Sequence, residues 1–435
     1  MDRRDLLTRT GALALAALAG CAGPLRAPGA TGDQAPDLPA GEPTVDDEQL
    51  KELAAGNASF ALDLHRRLAS DSAANQFFSP YSISVALAMT YAGARDDTET
   101  QMRETLRYTL GEDVHDAFET LAAELEERST TQDRFEDETV DAFQLAVANA
   151  LWGREGYQFS EEYLSLVDSH YGGGLRRADF AGDPTGERER INEWVADRTE
   201  DRIQDLLPPG SLTPATVLVL TNAIYFMASW QFEFDPANTE DGTFRALDGS
   251  SETVPMMRQN LRTNYADVPG AQAIELPYVG EQVSMVLLVP DEGEFTAFER
   301  GLDAEGLFGV FEALGDASGD LRLPKFEFES EVQLSSALSE LGMPVAFGGD
   351  ANFDGMVEGG GGDLWIDEVY HQAFVSVDEE GTEAAAATAV VMLESAPPRS
   401  FDLTIDRPFL FVIRDRPTDA VLFLGRVTDA GVAQG

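Results

Sequence analysis

VSVDEEGTEAAAATAVVMLESAPPRS, residues Val375 to Ser400, is the stretch on which the reading of this chain turns. It opens as an alternating apolar run and passes through Glu379, Glu380, Gly381, Thr382 and Glu383. From Ala384 to Met392 it is small or apolar, and two prolines and an arginine follow. Taken alone, Thr382 and Glu383 ahead of four alanines make a good helix start, because alanine is the best helix former and Thr and Glu suit a first turn. The flanks favour another reading. The strand-like alternation of Ala373, Val375 and Val377 precedes the stretch, and the apolar run Pro408 to Ile413 follows it. About 30 residues thus separate two core strands, and a connection that long is commonly functional or disordered.

Laid out as a strand, Thr382, Ala384, Ala386, Thr388, Val390 and Met392 share one face. None carries a charge, so that face can be buried in a sheet while Glu383 stays on the other. The segment therefore suits either an exposed loop or a central strand. A chain that holds the first arrangement while the second lies lower in energy is a spring.

Working outward, Leu50, Leu53, Ala54, Phe60, Ala61, Leu64 and Leu68 repeat at helical spacing, with His65 beside the stripe, either solvent-facing or a packed neighbour. Ser79 is placed as an N-cap with Pro80 at the first helical position, and Gly93 closes that helix. Asp96 to Leu110 and Asp113 to Glu127 read as further helices, and residues 130–140 as an acidic surface insertion. Thr216 to Phe226, TVLVLTNAIYF, is nearly all apolar, which suits a strand covered on both faces in the middle of a large sheet.

EEGTEAAAAT, residues 379–388, resembles the hinge of the serpin reactive-centre loop, and further motifs stand in that family's order. NQFFSPYSI, residues 75–83, resembles N-x-F-F-S-P-x-S-I. LAVANALW, residues 145–152, resembles the family's N-A-L/I-F/W strand end. Ile191, Asn192, Trp194, Val195, Thr199 and Ile203 resemble a serpin helix, and Trp230, Phe234, Asp235, Pro236 and Thr239 follow as they do there. Met227 and Ala228, however, replace the usual Lys-Gly. Glu275 to Tyr278, Ser284 to Asp291, Leu323 to Phe326 and Val421 to Val427 continue the pattern, which runs from about 50 to 430.

The resemblance implies an α+β serpin fold over 47–431. About eight or nine helices surround a large mixed central sheet plus two smaller sheets, and a reactive-centre loop is exposed over 379–400. It makes Glu379, Glu380, Gly381, Thr382, Glu383, Ala384, Ala385, Ala386, Ala387 and Thr388 the hinge. Ser79, Ser82, Asn222 and His371 become a shutter under the central sheet, which gates and does not break bonds. Lys325, in a chain with only one other lysine, Lys51, would pair with Glu379 near Trp230 at the sheet top, the breach. Family loop length puts the scissile bond at Ser395 and Ala396. The stretch up to Phe409 is about two residues longer than expected, so Leu393 and Glu394 stay open. Small or apolar residues there suit subtilisin-like or elastase-like proteases, and Arg399 lies too far along for a trypsin-type target. The implied function is suicide inhibition of a serine or cysteine protease by loop cleavage, acyl trapping and strand insertion. The alternative is a non-inhibitory binding protein on the same fold.

The 435 residues carry 78 acids against 30 bases, a net charge of -48, over a 43% hydrophobic composition. Such a surface suits a very salty medium, where salt screens the carboxylates, or else an acidic partner-binding protein. Nucleic acid is excluded as a partner, because phosphate binding needs a basic face. No Gly-x-Ser-x-Gly elbow, His-Glu-x-x-His or phosphate loop occurs, and neither cofactor nor metal is expected. Met1-Asp2-Arg3-Arg4 is a twin-arginine start, and Leu18-Ala19-Gly20-Cys21 resembles a lipobox. Residues 1–21 read as a signal peptide with Cys21 the lipidated residue, plain cleavage being the alternative. Residues 22–46 read as a Pro/Gly-rich tether. The expectation is a monomer, secreted or lipid-anchored outside the cell membrane, facing a secreted or surface protease.

Overall fold

The computed structural model describes residues 45–433 apart from positions 130, 136–137, 142, 173, 361–363 and 383–398. Its organising layer is a mixed six-stranded sheet in the order Phe326–Gln333, Glu368–Val377, Leu218–Ser229, Gln144–Arg154, Leu175–Ala178. The two-residue strand Gly381–Thr382 is added on Leu218–Ser229. Leu218–Ser229, the central strand, runs parallel to Glu368–Val377, the lead strand, and antiparallel to Gln144–Arg154.

The unbroken apolar run of the central strand has its reason in two cores. Leu218, Leu220, Ile224 and Phe226 enter the main core on one face. Val219 and Ala223 enter a second core on the other, with Trp152, Ile191 and Val195 of helix Pro184–Arg198. A strand buried on both faces has no place for alternate polar residues.

Helix Pro80–Tyr91 packs against both Gln144–Arg154 and the central strand, and on its other side against Val421–Val427 of the second sheet. It starts where the sequence places it. The Ser79 side chain accepts the Ser82 amide at 3.1 Å, and Pro80, with no amide proton of its own, occupies the first turn.

The second sheet has nine strands, in the order Gln76–Phe78, Val421–Val427, Phe409–Asp415, Val283–Pro290, Ala271–Pro277, Ser251–Val268, Gly315–Pro324, Arg399–Thr404, with Glu240–Arg245 also on Ser251–Val268. The two smaller sheets expected from the sequence are here continuous, because the 18-residue strand Ser251–Val268 pairs successively with Glu240–Arg245, Gly315–Pro324 and Ala271–Pro277. Nine α-helices stand among the described residues, and the class is α+β.

Local differences from the sequence reading have local causes. The helix begun at Asp96 ends at Thr105, just before Arg107 turns left-handed at φ 59°, and the next α-helix is Val114–Ser129. The acidic segment after it forms the hairpin Thr131–Phe135 with Glu138–Asp141. His65 is buried and hydrogen-bonded to Glu299 at 3.0 Å, so it is a packed neighbour and does not face solvent.

Candidate functional site

Central and lead strands pair residue for residue from Val219 with Glu368 to Tyr225 with Phe374, and there the pairing stops. Above that point the central strand takes a different partner, with Ser229 opposite Gly381 and Ala228 opposite Thr382, antiparallel. The turn that brings the chain back is built on Asp378. Its side chain accepts the amides of Glu380 at 2.9 Å and Gly381 at 3.2 Å, and its own amide donates to the Gly381 carbonyl at 3.0 Å. Only glycine fits at 381, since a Cβ there would lie 2.2 Å from the Ala228 carbonyl oxygen. Thr382 is buried, and its hydroxyl lies 2.8 Å from that of Tyr278.

Around this turn the chain is fixed from several sides. The Trp230 indole donates to the Asp378 carbonyl at 3.0 Å, the Trp230 amide to the Glu380 carbonyl at 3.0 Å, and the Phe234 amide to the Glu379 carbonyl at 2.9 Å. The Trp230 ring stacks on Tyr278 with centroids 4.6 Å apart. Lys325 Nζ donates to Glu379 Oε2 at 2.6 Å, and Thr239 donates to Glu379 Oε1 at 2.7 Å. Burial pushes the Glu379 carboxyl up, but these two hydrogen bonds, a backbone hydrogen bond and the charge of Lys325 together outweigh it and hold the group below its ordinary value. The Glu379 side chain is 10% exposed and that of Lys325 34%, so the ammonium reaches in from the rim. The structure thus brings Trp230, Lys325 and Glu379 together. It adds Thr239, Tyr278 and Asp378, which carry no site role in the sequence reading although Thr239 and Tyr278 stand within its motifs.

Lower in the sheet, His371 and Asn222 are register partners, and so are Asn222 and Asn149, which sets three polar side chains in a row across three strands. Ser79 and Ser82, at the start of helix Pro80–Tyr91, meet that row. Asn222 Nδ2 donates to Ser82 Oγ at 2.7 Å, and Ser82 Oγ donates to Asn149 Oδ1 at 3.0 Å. His371 Nε2 accepts the Ser79 amide at 3.2 Å, so the ring proton sits on Nδ1, which is hydrogen-bonded to Asn222 Oδ1. Complete burial drives the His371 pKa down to about 3, so the imidazole is neutral. Asn149 was not singled out from the sequence. Its signal was the N-A-L-W strand end, but its partners follow only from the strand register.

The arrangement does not resemble hydrolytic machinery. His371 takes the amide of Ser79, whose hydroxyl donates instead to the Leu422 carbonyl at 2.7 Å. The other three histidines are hydrogen-bonded to Glu299, Tyr171 and Glu119. The fold gathers one set of metal-ligating types that the sequence did not group, Asp116, Glu119 and His170, all half-buried and with ligand atoms within 4.8 Å of one another. His170 there already accounts for Glu119 through a 2.8 Å contact. The expected hinge residues Glu383, Ala384, Ala385, Ala386, Ala387 and Thr388, the scissile candidates Leu393, Glu394, Ser395 and Ala396, and Cys21 all lie outside the described residues. Arg399 opens the edge strand Arg399–Thr404 and pairs with Asp267 at 3.1 Å.

The family profile described as Serpin (serine protease inhibitor) matches residues 55–430. A serpin-like protein of Thermococcus kodakarensis is 36% identical over 438 residues, 98% of each chain. The leukocyte elastase inhibitor of Sus scrofa is 39% identical over 389 residues, 87% of this chain and 100% of its own. Among solved structures, the thermophilic serpin tengpin in its native state matches with a TM-score of 0.77 at 27% identity, over 89% of this chain and 96% of that one. Human thyroxine-binding globulin with its ligand matches with 0.75 at 29% identity, over 88% and 99%.

Proposed function

The chain belongs to the serpin family, and from that premise we propose that it is a suicide inhibitor of serine proteases. The observation that supports this reading best is the parted sheet. Central and lead strands are zipped below Tyr225 and Phe374, and the first two residues of the returning chain occupy the gap above. Continued downward, the same register brings Ala384 opposite Phe226, Ala386 opposite Ile224 and Thr388 opposite Asn222. Each incoming side chain on that face is small and uncharged, so it can enter the core without stranding a charge.

In the proposed cycle a protease cuts the loop between Ser395 and Ala396, with Leu393 and Glu394 the alternative residues before the cut, and forms an acyl bond to the residue before the cut. The freed hinge then zips into the sheet and separates the seven pairs between central and lead strands, the His371–Asn222 pair among them. Each backbone hydrogen bond gains about 1 kcal/mol net, while ordering costs about 1–2 kcal/mol per residue, so burial of the alternate face must tip the balance. Insertion carries the tethered protease away and distorts its site before deacylation. Small or apolar residues at the cut favour a subtilisin-like or elastase-like target, and the elastase inhibitor among the relatives is consistent with that.

Incubation with subtilisin in concentrated KCl, followed by a denaturing gel, tests the reading. A covalent adduct supports it, whereas clean cleavage without adduct supports the carrier reading that the thyroxine-binding relative represents. We further propose export through the twin-arginine start and anchoring through a lipidated Cys21, with the monomer facing a salty exterior. None of the described helices is long and apolar enough to cross a membrane. Fractionation of cells expressing Cys21→Ala tests the anchor. The variant is expected in the medium, and its retention in the membrane fraction contradicts the proposal.

A further inference from the structure

Tyr278 lies on neither the hinge nor the central strand, yet its hydroxyl is where the hinge ends its described path. Its ring is wholly buried, stacked on Trp230 and edge-on to Phe226 at 5.2 Å. Its backbone is tied to the Val283 carbonyl at 3.0 Å and bridges to Trp230, so the phenol is fixed before the hinge arrives. Among the described residues that hydroxyl has one hydrogen-bond partner, Thr382, itself 1% exposed. If the hinge leaves, a buried hydroxyl loses its partner, and such groups are costly to strand.

We infer that Tyr278 is a positioning residue for strand insertion: its hydroxyl captures Thr382 and fixes the register of the hinge before any protease acts. Register is the critical variable, because a slip of one residue turns every side chain of a strand to the other face. In the observed register Thr382 points inward opposite Ala228, with Gly381 at the close approach to the Ala228 carbonyl. A one-residue slip offers Glu383 to the phenol and the Trp230 ring, and places Thr382 where only glycine fits. Tyr278 therefore selects the threonine and rejects the glutamate beside it. The native protein rests with two residues already seated, and insertion propagates from a pre-formed end and has no new strand to nucleate.

This inference rests on the inhibitory reading for its purpose, but its geometry can be tested without a protease. Hydrogen exchange on the intact protein in concentrated KCl reads the amides of Gly381 and Thr382 against those of the central strand. They are expected to be protected in the wild type and to exchange about five- to tenfold faster in Tyr278→Phe and in Thr382→Val, with central-strand protection unchanged. Thr382→Ser, which restores the hydroxyl, is expected to recover protection. Thr382→Val removes the same hydrogen bond from the loop side without touching the stack on Trp230, so a poorly folded Tyr278→Phe does not leave the matter open. Fast exchange at 381–382 in the wild type overturns the inference, as does unchanged protection in both variants. With subtilisin, both variants are expected to shift product from adduct toward cleaved inhibitor. If protection behaves as expected but no chain, wild type included, ever forms adduct, the positioning role stands and the inhibitory reading fails.

Discussion

Glu379 carries more of the account than any other single side chain, since one carboxylate joins the turn, Lys325 at the junction of two strands and the loop bearing Thr239. Removing its charge weakens the bond that Lys325 donates to it, and hydrogen bonds to charged groups contribute about 1.5–3 kcal/mol each. Glu379→Gln is therefore expected to lower the unfolding free energy by about 1–3 kcal/mol and to increase self-association on warming. Denaturant titration with light scattering checks both, and a variant identical to wild type in both contradicts the pairing. His371 gives the pH dependence. Its native pKa is about 3 and its unfolded value about 6.5, so the unfolded chain takes up a proton in that window and the native state does not. Its contribution is full above about pH 6.5 and is lost as pH falls toward 3. His115, brought to about 4 by burial first and by His170 second, acts in the same sense. Denaturation midpoints measured from pH 7 to 4.5 are expected to fall, and a flat profile contradicts a buried neutral His371. At this scale the sequence showed what motif and composition can carry. Resemblance paired Lys325, one of only two lysines, with Glu379, and grouped Ser79, Ser82, Asn222 and His371. Asn149, Thr239 and Tyr278 were invisible as partners because their roles depend on register and on strands more than 30 residues apart in sequence.

Among the elements, the added strand Gly381–Thr382 is the one whose behaviour the account predicts most sharply. Gly381 lies where the central-strand backbone leaves no room for a Cβ, at 2.2 Å from the Ala228 carbonyl oxygen. Gly381→Val is expected to expel the hinge and convert most of the inhibitor into substrate, read as loss of the covalent subtilisin adduct with cleavage retained. Adduct yield equal to wild type shows that the hinge does not enter along this path. Elements were legible in proportion to how local their causes are. The helix beginning at Pro80 follows from a Ser-Pro cap, and the central strand from its apolar run. By contrast, the helix after Asp96 was overextended, because nothing in the sequence announces that Arg107 will turn left-handed. Two small sheets were expected where one continuous sheet stands. The strand Ser251–Val268 carries alternation interrupted by Pro255, and only its three successive partners reveal it as a single strand.

For the molecule as a whole, two quantities matter: its charge and the stored strain that the proposed function requires. A net charge of -48 repels itself, and added salt screens that repulsion. Thermal midpoints are expected to rise on the order of 10 °C between 0.2 M and 3 M KCl, and a midpoint that is flat or falls contradicts the salty-medium reading. Stored strain is the central claim. The central strand pairs with the lead strand below and with Gly381–Thr382 above, and under the proposed function this is a molecule stopped part-way between two pairings. If the remaining pairs are withheld only by the uncut loop, a single nick in that loop must make the protein more stable. The direct measurement is the melting temperature of the intact chain against the same chain cut once between residues 383 and 398, in the same salt. The cut chain is expected to melt about 10–20 °C higher, the shift that a net gain of about 10 kcal/mol gives a chain of this length once burial of the alternate face has offset the ordering cost. A cut chain that melts at or below the intact one shows that no energy was held in reserve, and contradicts the account.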